Sequence, residues 1–451
     1  MDVPVLLPKI FNYPLTYESG NIKSIETGDI VEVPFGNKIE IGVVWNKAQK
    51  TKKEFKIKAI KKKINNISIS KNLVEFINWF SSYNLVSKGL VLKMCIGNEK
   101  KFFAKKKYSV KKNIPKIKNN YKLSNEQNKA LSDLNKFGNK FHVSVLQGVT
   151  GSGKTIVYFE KIKKILSQNK QVLIMLPEIF LTSQFKERFI NFFGFEPCIW
   201  HSRITPKNKR IIWNGVIKNK IKLVIGARSS LLLPFSNLGL IIIDEEHDAS
   251  YKQEEGLIYN ARDMGIVRAS FENIPIYLVT SIPSLETFHN IKKKKYNLAI
   301  IKKRYKNFPF PKSKIINLNL KKIKNNFIAD ETSKIVNEYL TRNNQVLFFL
   351  NRRGYSPFLI CENCGFKHTC PNCSIYLTYH KYSEKIFCHH CGHHSNKKRV
   401  CKDKKKNCNF KMFGPGVEKI YEEVKKKFPE KKIKIISSDY FKNKKENIET
   451  L

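Results

Sequence analysis

The sequence has no long apolar run, no internal repeat of solenoid type and no recognisable secretory signal. None of its apolar segments approaches the roughly 18 residues of a membrane span, and residues 1–11 lack the charged, apolar and small-residue regions of a signal peptide. These absences predict a cytoplasmic protein with no membrane partner. Hydrophobic residues make up 41% of the chain and aromatic residues 12%, enough for packed cores, so wholesale disorder is not expected.

Acidic residues and arginine are both scarce. The chain has 37 acidic residues against 84 basic ones, a net charge of +47, and only 11 of the basic residues are arginine. Such an excess suits a polyanion such as nucleic acid. Abundant Lys, Ile and Asn are also what drift in an AT-rich coding sequence produces, so the charge by itself does not identify a DNA partner.

Changes in residue pattern divide the chain into about three domains with connecting segments. The predicted boundaries are 1–99 for a β-rich N-terminal domain, 100–122 for a basic linker, 123–310 for a first α/β lobe, 311–360 for the start of a second lobe, 361–410 for a cysteine-rich insert and 411–451 for the continuation of the second lobe.

Near-continuous apolar runs predict parallel strands that are buried on both faces, and apolar residues at helical spacing predict the helices between them. The predicted strands of the first lobe are 143–146, 172–176, 223–225, 240–243 and 276–279, and those of the second lobe are 346–350 and 433–436. The predicted helices include 72–80, 156–166 and 330–340. Together these elements predict an α/β fold.

The strongest motif reads Gly-Val-Thr-Gly-Ser-Gly-Lys-Thr, begins at Gly148 and lies between a predicted strand and a predicted helix. It matches the phosphate-binding loop in both spacing and context. Gly148, Gly151 and Gly153 would let backbone amides wrap phosphates at the positive end of the helix. Lys154 would reach the β- and γ-phosphates of ATP, and Thr155 would ligate Mg²⁺.

A second motif, Leu-Ile-Ile-Ile-Asp-Glu-Glu-His at 240–247, places acids at the carboxyl end of a predicted strand, where ligands bind in open α/β sheets. Asp244 would hold Mg²⁺ through water, Glu245 would orient the attacking water, and His247 completes the Asp-Glu-Glu-His sequence. The alternative is a surface turn. The two motifs together predict an NTPase, and the form of the second narrows it to a helicase-like motor of superfamily 2.

Eight of the ten cysteines are concentrated near the end of the chain. They are Cys361, Cys364, Cys370, Cys373, Cys388, Cys391, Cys401 and Cys408. Paired cysteines two residues apart, in a reducing compartment, predict zinc rather than disulfides. Cys95 and Cys198 are isolated and are predicted to be ordinary core thiols.

Several further segments are similar to the primosomal protein N′ (PriA) family of replication restart helicases. They are 4–13, 33–36, 176–179, 181–184, 201–202, 226–229, 244–263, 351–354 and 414–418. The resemblance covers nearly the whole chain and implies RecA-like parallel-sheet helicase lobes with a small β-rich N-terminal DNA-binding domain and a zinc-binding insert. It also implies an ATP-dependent 3′→5′ DNA helicase that recognises stalled or abandoned replication forks and initiates restart. The implied partners are forked and single-stranded DNA, other primosome proteins and single-stranded DNA-binding protein.

The resemblance also implies contacts with the 3′ end of a nascent DNA strand. Phe11, Asn12, Gly36 and Lys58 would surround that end, because an aromatic ring, a close backbone approach and a cation suit a terminal nucleotide. Asn12 stands where the family has Asp, which removes a charge-assisted hydrogen bond. The alternative is that Phe11 belongs to the core and that Lys58 is simply solvated.

The segment 249–259 resembles the aromatic-rich loop by which the family couples single-strand binding to hydrolysis. Tyr251 and Tyr259 are the candidates for stacking on bases, and Lys252 is a further candidate DNA contact. Leu257 replaces a common aromatic residue, so weaker coupling is expected.

The resemblance divides the cysteines between two zinc ions. One ion would take Cys361, Cys364, Cys401 and Cys408, and the other would take Cys370, Cys373, Cys388 and Cys391. Residues 403–406 lengthen the last knuckle of the first set, so His389, His390, His393 or His394 remains an alternative ligand there.

Three departures from the family pattern predict reduced activity. Ile282 replaces the hydroxyl residue that ends motif III, and the short linker leaves no room for a winged-helix domain. The chain also stops at Leu451, before later motifs whose arginines stabilise phosphoryl transfer, and a missing arginine finger costs roughly 10³- to 10⁵-fold in rate. Slow hydrolysis is therefore expected of this chain alone.

Two alternative functions remain open. One is a truncated, weakly or non-hydrolysing module that binds fork DNA and recruits primosome proteins. The other is a decaying gene product without function, against which the intact Lys154, Asp244 and Glu245 argue.

Overall fold

The computed structural model describes residues 1–22, 24–46, 57–97, 122–177, 183–317, 327–351, 358–361, 364–380, 383–396, 401 and 410–436. These residues belong to two compact units, Met1–Phe310 and Pro311–Leu451. Of the predicted basic linker at 100–122, only Lys122 is among them. None of the described helices combines the length and the hydropathy of a transmembrane segment.

An antiparallel five-stranded sheet forms the N-terminal part of the first unit. Its strands are β1 (Asp2–Leu6), β2 (Leu15–Glu18), β3 (Asp29–Phe35), β4 (Lys38–Val44) and β5 (Lys62–Ser68), in the order β2-β1-β4-β3-β5. Val3 and Val5 of β1 pack with Val31 of β3 in one buried apolar cluster. The amide of Ile60 donates to the carbonyl of Glu18 at 2.9 Å. This bond brings the chain ahead of β5 alongside β2, so the sheet curls round on itself.

Two helices, α1 (Lys71–Tyr83) and α2 (Lys88–Ile96), follow this sheet. The helix predicted at 72–80 is confirmed within α1. Phe80 of α1 packs edge-on against Tyr259, with ring centroids 5.2 Å apart, and the indole of Trp213 donates to the carbonyl of Cys95 in α2 at 2.8 Å. These buried contacts join the N-terminal part to the α/β part of the same unit.

A seven-stranded parallel sheet forms the α/β part of the first unit. Its elements are α3 (Asn125–Asn135), β6 (His142–Gly148), α4 (Lys154–Ser167), β7 (Gln171–Met175), α5 (Ser183–Phe193), β8 (Cys198–Trp200), α6 (Pro206–Ile217), β9 (Leu223–Gly226), β10 (Leu238–Asp244), β11 (Lys252–Gln253), β12 (Tyr259–Asn260), α7 (Ala261–Phe271), β13 (Pro275–Thr280), α8 (Leu285–Lys292) and β14 (Asn297–Ile301). The sheet order is β14-β6-β13-β10-β7-β9-β8, and β11 and β12 form a separate two-stranded ribbon. The predicted strands overlap β6, β7, β9, β10 and β13, and the helix predicted at 156–166 lies within α4.

Both faces of this sheet are covered by apolar side chains. On β10, Ile241 and Ile243 belong to one buried cluster, whereas Leu240 and Ile242 belong to another. A strand that is buried on both faces has no solvent-facing row, which explains its continuous apolar run. The predicted parallel α/β fold is confirmed.

The sheet brings together the two motifs that the sequence predicts to bind nucleotide. Strand β13 lies between β6 and β10, and all three run in the same direction. Their carboxyl ends therefore meet at one edge. The glycine-rich loop follows β6 and the Asp-Glu-Glu-His sequence begins at the last residue of β10, so the two motifs lie one strand apart.

The described residues of the second unit form two helices and several short strands. They are α9 (Asp330–Thr341), β15 (Phe358–Cys361), β16 (Thr378–His380), β17 (Lys385–Phe387), β18 (His394–Asn396), β19 (Phe410–Phe413) and α10 (Val417–Lys427). The helix predicted at 330–340 is confirmed within α9. Val336 of α9 and Val424 of α10 share a small buried cluster.

The two strands predicted at 346–350 and 433–436 are wrong. Both segments are described, and neither pairs with another strand. Leu347 and Phe349 are 78% and 83% exposed. A parallel strand satisfies its amides only beside a neighbour, and the described residues of this unit supply none for these two segments. The apolar pattern alone therefore did not produce a sheet.

Candidate functional site

The glycine-rich loop between β6 and α4 has a shape that requires glycine at three positions. Gly151 and Gly153 have φ values of +81° and +80°, in the left-handed region that glycine favours. A Cβ built on Gly153 would lie 2.4 Å from Nε2 of Gln127, and one on Gly148 would lie 2.6 Å from Oγ of Ser152. Side chains at these positions would therefore clash with the groups that hold the loop.

Lys154 is the first residue of α4, and its ammonium group turns back over the loop. Its Nζ donates to the carbonyl of Gly148 at 2.8 Å. A cation across a glycine-rich turn, at the positive end of a helix of 14 residues, suits phosphate oxygens. The residues present thus fit the triphosphate of a nucleotide.

Gln127 supports the loop from α3, a role that the sequence analysis missed. It is buried, and its Nε2 donates to the carbonyl of Ser152 at 2.9 Å. Its Oε1 accepts from the amide of Ser124 at 2.9 Å, and Ser124 Oγ accepts from the amide of Gln127. The pattern Ser-x-x-Gln is a capping-box signal, so the helix start was readable in the sequence although the contact with the loop was not.

Asp244 lies buried at the carboxyl end of β10 with a donor on each carboxylate oxygen. Oδ2 accepts from the Tyr158 hydroxyl at 2.8 Å, and Oδ1 accepts from the amide of Glu245 at 3.0 Å. Burial raises the pKa of Asp244 to about 6, although the hydrogen bond from Tyr158 and the charge of Lys154 act to lower it. A buried carboxylate of this kind gains from a divalent cation, because the cation favours its ionised form.

His247 connects the end of β10 to the end of β13. Its Nδ1 lies 2.8 Å from the Thr280 hydroxyl and 3.7 Å from Oε2 of Glu245. The Thr280 hydroxyl donates its proton to the carbonyl of Ile282 at 2.7 Å, so it accepts from His247. The side chain of Ile282 is 73% exposed. The link between these motifs is therefore made by Thr280, and it does not depend on a hydroxyl at position 282.

Glu246 is a second residue that the sequence analysis missed. It is only 1% exposed, and its carboxylate accepts from the amide of Ser284 at 2.8 Å and from the Thr287 hydroxyl at 3.0 Å. Nη1 of Arg262 lies 3.3 Å from its Oε2. This network ties the end of β10 to α7 and α8. The sequence signal that could have revealed this network was Arg262, because it belongs to the segment that resembles the helicase family.

The prediction that Tyr251 and Tyr259 stack on DNA bases is corrected by their burial. Each is only 2% exposed. The Tyr251 hydroxyl lies 2.6 Å from the carbonyl of Asp244 and 3.0 Å from that of Met175, and Tyr259 packs edge-on against Phe80. A ring stacks on a base only if one of its faces is accessible, and these two serve the core instead.

Lys252 is exposed and stays a candidate DNA contact. Its carbonyl accepts from Nη1 of Arg228 at 2.7 Å, and its ammonium group lies 3.5 Å from Glu254.

The residues predicted to hold a DNA 3′ end lie in the N-terminal part of the first unit. Phe11 is partly buried and meets Phe35 edge-on, with ring centroids 5.6 Å apart, and Gly36 follows at a φ of +58°. Asn12 Oδ1 lies 3.3 Å from Oγ of Ser81. The structure thus brings Phe11 beside the β3–β4 turn. The pocket itself stays a prediction.

Lys58 is exposed, and its carbonyl accepts from the amide of Glu18 at 3.0 Å. Lys58 therefore stays a predicted DNA contact.

Four cysteines of the second unit form a compact cluster of thiols. They are Cys370, Cys373, Cys388 and Cys391, whose sulfur atoms all lie within 4.8 Å of one another. Sγ of Cys370 is 3.4 Å from that of Cys391, and Sγ of Cys373 is 3.3 Å from that of Cys388. Four converging sulfur atoms are the donor set of a structural zinc site.

The same backbone turn presents the first cysteine of each pair. The amide four residues after Cys361, Cys370 or Cys388 donates to the carbonyl of that cysteine, at 2.9, 3.0 and 3.0 Å respectively. The donor residue is in the left-handed region each time, as Gly365, Ser374 or Gly392. Such turns aim two thiols at one point, which explains why the spacing of the cysteines predicted the cluster well.

A second group contains Cys361, Cys364 and Cys401, with Sγ of Cys364 3.4 Å from that of Cys401. The predicted fourth ligand, Cys408, lies outside the described residues. Among the described residues no histidine joins this group. Nε2 of His389, one of the alternative ligands, lies 3.0 Å from Nε2 of His380 instead.

Three family descriptions match separate parts of the chain. Residues 2–97 match the 3′DNA-binding domain (3′BD), residues 120–281 match the type III restriction enzyme, res subunit, and residues 370–395 match the PriA DNA helicase Cys-rich region (CRR) domain.

Known proteins resemble the chain over most of its length. The replication restart protein PriA of Rickettsia conorii is 43% identical over 444 residues, which cover 97% of this chain and 67% of the relative. That of Bacillus subtilis is 36% identical over 293 residues, 64% of this chain and 36% of the relative. Among solved structures, RecG bound to a three-way DNA junction gives a TM-score of 0.34 at 20% identity, covering 60% of this chain and 34% of that one.

Proposed function

The chain belongs to the family of replication restart protein PriA, and on that premise we propose that it is an ATP-dependent 3′→5′ DNA helicase acting at stalled or abandoned replication forks. The observation that carries the proposal is that the loop leading to Lys154 and the carboxylate of Asp244 lie at the carboxyl ends of β6 and β10, the two strands that flank β13. A cation that binds phosphate and a carboxylate that binds a metal ion, placed one strand apart, are the groups with which nucleoside triphosphatases bind their substrate.

Each residue of this site has a distinct role in the proposed reaction. Lys154 binds the β- and γ-phosphates of ATP, and the amides of the glycine-rich loop surround them. Thr155 and Asp244 hold Mg²⁺, which when bound offsets the charge of the phosphates. Glu245 orients the attacking water, and His247 passes the state of this site to the end of β13 through Thr280.

The remaining parts of the chain supply the DNA contacts of the proposed helicase. The N-terminal sheet takes the 3′ end of a nascent strand at Phe11, Asn12, Gly36 and Lys58, and Lys252 contacts single-stranded DNA. The two cysteine groups each hold a zinc ion and stiffen the surface that meets forked DNA. Other primosome proteins and single-stranded DNA-binding protein are the proposed protein partners.

Steady-state ATP hydrolysis with and without forked DNA tests the proposal. We expect turnover that forked DNA stimulates and that Lys154→Ala abolishes, because the ammonium group acts directly on the transferred phosphate. Lys164→Ala is the matched control, since Lys164 lies on the same helix with its side chain exposed. Fork binding without turnover in the wild-type chain would instead favour a non-hydrolysing recruitment module.

Polarity needs its own measurement. The substrates are duplexes with a single-stranded tail on one strand only, either 3′ or 5′. Duplexes with a 3′ tail should be unwound, because the chain then moves 3′→5′ toward the duplex, and those with a 5′ tail should not. Equal unwinding of both substrates would contradict the proposed polarity.

A further inference from the structure

Tyr158 joins the two motifs of the nucleotide site through one hydroxyl group. It lies in α4, one helical turn beyond Lys154, and it is fully buried. Its hydroxyl donates to Oδ2 of Asp244 at 2.8 Å. One of the two residues proposed to hold Mg²⁺ is therefore held in place by a residue to which neither motif assigns a role.

The hydrogen bonds run in one direction. A carboxylate can only accept, so Tyr158 must give its single proton to Asp244. On the carboxylate, the amide of Glu245 occupies one position on Oδ1. The arrangement thus sets both where the ligand oxygens lie and which lone pairs they offer.

We propose that Tyr158 is a positioning residue that holds Asp244 in the orientation in which its carboxylate serves Mg²⁺. The proposal rests on the proposed ATP-binding function and deepens it by naming the residue that orients this ligand. Such partners behind metal ligands orient them, and their loss typically lowers metal affinity about 10- to 100-fold.

Tyr277 separates this role from that of an ordinary buried tyrosine. It lies in β13, between the two motif strands, and it is also fully buried. Its hydroxyl donates to the carbonyl of Leu134 at 3.2 Å. Tyr277→Phe therefore removes a buried hydroxyl from the same sheet without touching Thr155 or Asp244, which makes it the matched control for Tyr158→Phe.

The test measures nucleotide affinity with and without Mg²⁺. Calorimetric titrations of ADP, and of an ATP analogue that is not hydrolysed, are run on the full chain in Mg²⁺ and in EDTA for the wild type and both variants. In Tyr158→Phe we expect the Mg²⁺-dependent gain in affinity to fall about 10- to 100-fold, with affinity in EDTA unchanged. In Tyr277→Phe both affinities should equal those of the wild type. Each variant loses one oxygen and keeps its ring, and thermal unfolding checks that both remain folded.

Two results would overturn the proposal. One is a Mg²⁺-dependent gain in Tyr158→Phe equal to that of the wild type. The other is a loss of affinity that is as large in EDTA as in Mg²⁺, because a merely structural role predicts that pattern. If the wild type binds neither nucleotide, the proposed ATP-binding function fails and takes the inference with it. Normal wild-type binding with an unaffected Tyr158→Phe removes the inference alone.

Discussion

The nucleotide site and the cysteine insert place their reactive groups by different means. In the nucleotide site, Lys154 and Asp244 are far apart in the sequence and come to the same edge of a buried parallel sheet because β6, which precedes the loop of Lys154, and β10 flank β13. In the insert, Cys361, Cys370 and Cys388 each begin one short turn that holds a cysteine pair. The buried cluster around them counts only six of the described residues, two of which are cysteines. The nucleotide site therefore depends on packing between distant segments, whereas the cysteine insert depends on the zinc that its turns are predicted to bind.

Removal of zinc should give the largest difference between the two sites. Structural zinc contributes on the order of 10 kcal/mol to the folding of small modules, so a strong chelator should unfold the insert. Nucleotide affinity of the first unit should not change. Hydrogen exchange of each unit, before and after chelation, measures both effects.

Single cysteine variants give the matched test of the same comparison. Cys370→Ser should lower the zinc content by one ion, while Cys198→Ser, which lies outside both cysteine groups, should leave it unchanged. Metal analysis that finds no zinc in the wild type would refute the assignment of the insert.

The Glu246 network offers a way to weaken the sheet-held site without touching the insert. Glu246→Ala removes the buried acceptor shared by Arg262, the amide of Ser284 and the Thr287 hydroxyl. Arg262 keeps its ion pair with Asp263, but each buried donor left unpaired costs about 1 to 3 kcal/mol. Glu246→Gln keeps the hydrogen-bond acceptor and should cost less. Glu254→Ala is the control, because the side chain of Glu254 is 68% exposed. Denaturant unfolding of the first unit measures the change, and equal losses in Glu246→Ala and Glu254→Ala would contradict the network.

The free energy of unfolding should depend on pH because Asp244, the buried acid of the nucleotide site, has a raised pKa. Burial raises the pKa of Asp244 from 3.8 to about 6, so between these values the folded chain holds a proton there that the unfolded chain releases. The stabilisation that protonated Asp244 gives the folded chain is therefore fully present below about pH 4. As the pH rises through 6 it is lost, and the free energy of unfolding falls by roughly 3 kcal/mol.

Unfolding free energies between pH 4 and 7, measured in EDTA, test this sign. Asp244→Asn should remove the dependence, since an amide does not titrate in this range. Asp133→Asn, which changes an acid near the surface, should keep it. If the free energy of unfolding rises from pH 4 to 7 in the wild type but not in Asp244→Asn, the raised pKa of Asp244 is wrong.

The smallest expected effect concerns the shape of the glycine-rich loop. Gly153→Ala adds a Cβ both to a left-handed residue and against Gln127, so it should cost about 2 kcal/mol and weaken nucleotide binding. Gly138→Ala meets only the first of these costs, since no described atom lies within 4 Å of its Cβ at a φ of +70°. The difference in unfolding free energy between the two variants therefore isolates the contact with Gln127. Equal unfolding free energies for the two variants would show that the contact with Gln127 contributes nothing.

Local patterns predicted most of the elements but not all of the sheet. The strands of the first lobe were readable because a strand buried on both faces is apolar throughout, as β10 is. The same pattern failed at 346–350, because an apolar run becomes a strand only beside a neighbour that can pair with its amides. Tyr251 and Tyr259 failed for a related reason. Aromatic residues suit a core as well as a DNA surface, and only packing against Phe80 and the carbonyls near Asp244 distinguishes the two.

Sequence alone determined the residues whose chemistry depends on close spacing. A glycine-rich turn before a helix and cysteines two residues apart are built within a few residues, so their patterns predict them directly. Tertiary structure alone decided which distant residues meet. The contacts of Glu246 with Arg262, of Gln127 with the loop and of Tyr158 with Asp244 are set by strand order and helix packing. These contacts join residues that no local spacing relates, so they arise only when burial of the apolar faces brings their strands and helices together.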